Sequence, residues 1–194
     1  MKNNYLFILS FCLFFSCQRQ ESIISKVFDE QEITEIDKLI QYYDQFIQKQ
    51  TDNKGGDLAR SYLTFLQINT IMAQQGRDMD VLRPSLKAQI DLFNSINPDF
   101  IEKIFQKKAF DQHIEMDVED SNPPLHFNPK GKILLFIQEL AKKESFYSPL
   151  AQELEEKGDI GEQSYHLLLD SFPQINFKNK DERFAFIVCM LRRM

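Results

Sequence analysis

Five carboxylates fall within a short stretch of this chain, at Asp111, Glu115, Asp117, Glu119 and Asp120, with His113 among them and His126 just beyond. Hard cations need several oxygens converging on one point. The alternation His113-Ile114-Glu115-Met116-Asp117-Val118-Glu119 would set Glu115, Asp117 and Glu119 on one face of a strand. The spacing fits no calcium loop, however, and the glycine that bends such loops is missing. The stretch is therefore read as a solvated acidic edge whose charges oppose sheet-to-sheet pairing, and no metal ligand is assigned. Acid–base hydrolysis would need one desolvated carboxyl of raised pKa and a second at a set distance. With 29 acidic residues in the chain, spacing singles out no such pair, and no catalytic residue is assigned.

Other reactive patterns are missing from the sequence: it holds no G-x-S-x-G, H-E-x-x-H, Walker loop, dinucleotide fingerprint or C-x-x-C. No cofactor is implied. The glycines (Gly55, Gly56, Gly76, Gly131, Gly158 and Gly161) fall at expected turns or helix ends and form no phosphate cradle. Without tryptophan, a sugar platform would rest on Tyr42, Tyr62 or Tyr147. Cys189 lies inside an apolar run and reads as a buried thiol.

The remaining thiol with a chemical reading is Cys17. Residues 1–17, MKNNYLFILSFCLFFSC, open on Lys2 and continue as an apolar stretch from Tyr5 to Phe15. That is the length of a secretory core and too short for a bilayer of ~30 Å. Ser16 immediately precedes Cys17, and here the segment resembles the signals of bacterial lipoprotein precursors, with Phe14 where leucine is usual. The resemblance covers these 17 residues alone. It implies cleavage before Cys17, lipidation of the Cys17 thiol and a membrane anchor in the cell envelope; Gln18 at the following position points to the outer membrane. Residues 1–16 would be the signal peptide, 17–27 the lipidated cysteine and a polar tether, and 28–194 the domain. Removing the signal takes Lys2 and Cys12 and leaves Cys189 without an internal disulfide partner.

The charge balance, 23 basic against 29 acidic residues, disfavours a nucleic-acid partner, which would need a basic stripe. The elements that would position any site are helical. Asp29 and Glu32 have capping-box spacing, with Phe28 placed to staple onto Ile33. Ile33, Ile36, Leu39, Ile40, Tyr43, Phe46 and Ile47 then share one face of a helix running to about Gln50. Thr51–Gly56 is a turn, and Asp57 caps a helix to about Gln75 with Leu58, Tyr62, Phe65, Leu66 and Met72 inward. Prolines mark further starts: Pro84, Asn97-Pro98, Asn128-Pro129, and Ser148-Pro149, whose helix ends at Gly158. A helix from Glu162 to about Ser171 precedes Pro173. Residues 184–191, FAFIVCML, suit a buried strand or a helix; Asn179 as cap, Asp181 and Glu182 in the first turn and Arg192-Arg193 in the last favour the helix.

The interrupted region 111–128 is read as a small hairpin or an irregular excursion, with Leu125-His126-Phe127 as its second arm. The fold class is all-α, one bundle of seven or eight short helices. The expected role is a non-enzymatic binding or accessory module presenting helical faces to a protein partner. The alternative is a carboxylate-dependent hydrolase of envelope glycan or peptidoglycan, which requires a cleft holding two convergent acids.

Overall fold

The computed structural model describes residues 22–75, 84–106, 125–161, 164, 167–168 and 170–192. Among them the fold is all-α. Eight helices have both ends described: α1 Ile23–Val27, α2 Glu30–Gln50, α3 Leu58–Gln74, α4 Leu86–Asn94, α5 Pro98–Ile104, α6 Lys132–Lys143, α7 Ser148–Lys157 and α8 Lys180–Arg192. Ser164, Leu167, Leu168 and Asp170 are also helical, where the Glu162–Ser171 helix was expected. No helix among the described residues is long and apolar enough to cross a membrane.

The start of α2 forms as its sequence dictates. Asp29 accepts from the backbone N–H of Gln31 and Glu32, and the Glu32 carboxylate accepts from the Asp29 N–H at 2.9 Å. Ile36, Leu39, Ile40, Tyr43 and Ile47 are buried as expected, whereas Ile33 is only half-buried. Glu32 is buried instead, because its carboxylate also takes an ion pair from Lys132 of α6 at 2.5 Å. Phe28, at the α1–α2 junction, packs among Phe100, Phe136 and Phe184. After the turn, Asp57 accepts from the Ala59 N–H at 2.9 Å and starts α3. Tyr62 bonds Asp44, and Phe46 meets Phe65 edge-on, so α3 runs back along α2 as an antiparallel hairpin.

Two helix starts differ from the sequence expectation. Pro84 lies before its helix, not in the first turn: Ser85 is the cap, its hydroxyl accepting from the Ala88 N–H. Asn128-Pro129 forms a turn, with Asn128 Oδ1 accepting from the Lys130 N–H, and α6 begins only at Lys132. The reason is tertiary. Asn128 donates through Nδ2 to the Glu102 carbonyl, and its N–H donates to the Ile104 carbonyl, so it belongs to the end of α5. Gly131 then passes so close to Lys103 that a Cβ would lie 2.2 Å from the Lys103 carbonyl oxygen. The Asn97-Pro98 and Ser148-Pro149 starts are observed, and α7 ends at Gly158 with φ +74.

No strand occurs among the described residues. The alternating triplet at 125–127 makes one antiparallel bridge, Phe127 with Phe105, and their rings stack at 5.5 Å. Its partner is thus the end of α5; the other arm expected for a hairpin, 113–119, lies outside the described residues.

The run 184–191 is a helix, buried at every residue but the half-buried Met190. Asn179 accepts from the Asp181 N–H at 2.9 Å, as its capping position implied. Phe184 meets Phe28 and Phe136, and Phe186 meets Tyr62 and Phe172. A helix apolar all round sits at the centre of a bundle because each face has another element to pack against.

The polar stretch 18–27, read as a tether, contributes its second half to the fold. Ile23 and Ile24 are each 1% exposed. The buried Asp181 carboxylate holds the start of α1, accepting from the Ser22 hydroxyl at 2.5 Å, the Ile23 N–H at 2.9 Å and the Ile24 N–H at 3.1 Å. Two isoleucines among polar neighbours gave too short a pattern to reveal this.

Candidate functional site

Cys17 and the carboxylates from Asp111 to Asp120, with His113, lie outside the described residues, as does Gly76. His126 is described: its exposed ring bonds Asp159 through Nδ1 at 2.7 Å. Among the described residues no three His, Cys, Asp or Glu side chains gather as a metal site. The tyrosines offered as a sugar platform are otherwise engaged. Tyr62 stacks on Phe177 at 4.7 Å, Tyr147 is fully buried beside Phe146, and Tyr42 packs edge-on to Tyr43. Cys189 is buried, in agreement with its apolar surroundings.

Among the described residues, burial raises two carboxyls above their ordinary range. Burial pushes Asp44 up, against the hydrogen bond from Tyr62 at 2.7 Å and the nearby Arg183 charge, which both pull it down. The Arg183 guanidinium sits 3.6 Å from Asp44 through Nε and donates through Nη1 to the Phe177 carbonyl. Burial likewise raises Glu182, which accepts from the Asn176 N–H at 2.8 Å and feels the charge of Glu144. Asp44 ties α2 to α3 and α8, and Glu182 closes the loop before α8. Both act as joints between elements, and neither lines the groove described next.

That groove runs beside α3. Leu63, Leu66, Gln67, Thr70 and Ile71 form one wall, and Asp170, Phe172 and Pro173 the other, around about 490 Å³. Residues 63, 67 and 71 recur every fourth position, with 66 and 70 one place earlier, and so make a single stripe on the helix. Leu63 is 41% exposed and Ile71 52% exposed. Among the described residues that line the groove, Asp170 is the only charged one. The opposite wall stands where it does because Phe172–Gln174 is a tight 3-10 turn that directs the Phe172 ring onto Phe186 of the core.

The apolar periodicity of α3 marks its inward face and leaves Leu63 and Ile71 unassigned. The signal was nonetheless present. In LARSYLTFLQINTIMAQ the large apolar residues exceed what one buried stripe can take. The geometry provides an open apolar trough with one carboxylate, of a volume that accepts side chains of a peptide or helix. Among the described residues one acid, Asp170, lines it, where hydrolysis by carboxylates requires two.

Compared with protein families, with curated proteins and with solved structures, the chain matches none.

Proposed function

We propose that this protein is a lipoprotein of the cell envelope, anchored through Cys17 to the outer membrane, and that its helical domain is a non-enzymatic binding module for a protein partner. The observation that carries the binding role is the groove beside α3, with Leu63 and Ile71 standing in solvent. Large apolar side chains lining a concave surface mark interaction sites more often than isolated surface leucines do. The occupant is a protein segment with apolar side chains for the trough and a cation to meet Asp170, since a carboxylate on the rim selects for positive charge opposite it. The anchor rests on the short apolar leader ending in Ser16-Cys17.

A photo-crosslinker at position 63 or 71, introduced in the full chain in its native cell, tests the binding role. One partner species cross-linked from both positions, absent from position 54 and lost on Asp170→Lys, supports it. Cross-links equally distributed among all three positions would refute the groove as the binding face.

A further inference from the structure

The clamp on α1 has a consequence for how the domain stands on the membrane, resting on the lipoprotein reading above. Ser22 is fixed to the core by Asp181, and the amides of Ile23 and Ile24 are fixed with it. Only residues 18–21 separate it from Cys17. A fully extended chain covers at most ~3.3–3.6 Å per residue, so the first fixed residue lies within about 18 Å of the lipidated cysteine. The body cannot stand further off than that without unfolding α1.

We infer that the α1 end of the bundle is a membrane-apposed face that rests on the lipid headgroups. Lys26 of α1 and Lys142 and Lys143 at the end of α6 are all exposed. Helix α6 packs directly against α1, so the three lysines belong to neighbouring elements. Lys142 pairs with Glu139 of α6, and the exposed Glu144 follows Lys143, so the short tether, more than any charge excess, is what holds these lysines at the headgroups. The opposite end of the molecule is defined by the same contacts. Lys180, next to Asp181, pairs with Asp37 at 2.5 Å. From that level the rest of α2 carries the chain about 20 Å away at 1.5 Å per residue, to the turn holding the exposed Lys54. A membrane-bound partner would therefore meet the flanks of a body held low, and the 51–57 turn would point away from the lipid.

The test uses the full, lipidated chain in vesicles of phosphatidylethanolamine and phosphatidylglycerol containing a lipid with a nitroxide on its headgroup. A fluorescent amino acid replaces Lys26 in one sample and Lys54 in another. Quenching at position 26 is expected to exceed that at position 54 severalfold. Inserting twenty Gly and Ser residues between Arg19 and Gln20 is expected to reduce that ratio towards one while the protein stays with the vesicles. Equal quenching at the two positions in protein whose Cys17 carries lipid overturns the apposed face alone. Protein shown by mass spectrometry to lack lipid at Cys17 overturns both this inference and the lipoprotein reading beneath it.

Discussion

Replacing Asp181 by alanine should detach α1 without unfolding the bundle. The carboxylate accepts two buried backbone N–H groups and the Ser22 hydroxyl. Hydrogen bonds to a charged acceptor contribute about 1.5–3 kcal/mol each, so the two backbone bonds supply about 3–6 kcal/mol. Burial of Ile23 and Ile24 adds about 1.5–3 kcal/mol apiece. Against this stands the ordering of the five residues of α1, at about 1–2 kcal/mol each. The favourable and unfavourable sums nearly cancel with Asp181 present, and without it the segment no longer gains by docking. The loss of global stability then saturates at the small net docking energy, about 1–3 kcal/mol, since α1 releases instead of leaving its amides unsatisfied. Urea unfolding measures the global term through the midpoint, and hydrogen exchange by mass spectrometry measures the local one. The expected pair of results is a modest drop in midpoint with complete loss of protection over 22–27. Retained protection with an unmoved midpoint refutes the reasoning, and so does unfolding of the whole domain.

Four further outcomes follow from the packing. Gly131→Ala should destabilise by more than about 2 kcal/mol in urea unfolding, because its Cβ would overlap the Lys103 carbonyl and overpacking against backbone has no flexible neighbour to yield; a change below half that would contradict the close approach. Tyr147→Phe should be neutral or stabilising by about 1 kcal/mol, since the phenol hydroxyl is buried without a hydrogen-bond partner among the described residues; a clear fall in midpoint would reveal a partner for it. Burial raises the folded-state pKa of Asp44, so the native protein binds a proton more readily there than the unfolded chain does, and its ionisation costs stability as pH rises. The urea midpoint of wild type relative to Asp44→Asn should therefore fall as pH climbs from the ordinary aspartate value to the raised one, then level off; a rise over that window would reverse the assigned sign. Ile71→Asp should leave the midpoint nearly unchanged, as befits a half-exposed site, yet abolish cross-linking of the partner from position 63; cross-linking at wild-type strength counts against the groove.

Local chemistry was legible wherever one short segment decided the structure. The Asp29–Glu32 capping box, the Asp57 cap and the Gly158 terminus all depend on residues within one turn, and each is found as its spacing implied. The helix over 184–191 was readable for the same reason, since Asn179, Asp181 and Glu182 mark its start. Features fixed by distant partners were hidden. Asn128-Pro129 looks like any helix start until the carbonyls of Glu102 and Ile104 claim Asn128. Ser22–Val27 looks like linker until Asp181, some 160 positions away in sequence, accepts its amides. The groove was hidden in another way: Leu63 and Ile71 read as surplus apolar residues, and only the placement of Phe172 and Pro173 opposite them turns the surplus into a trough.

The mass of the N-terminal peptide of the protein recovered from cell membranes tests the lipid anchor most directly. Lipidation at Cys17 predicts a peptide beginning at that residue and carrying a diacylglycerol group, with Cys17→Ser moving the protein out of the membrane fraction. An unmodified peptide beginning at Met1, on protein recovered from the soluble fraction, would contradict it.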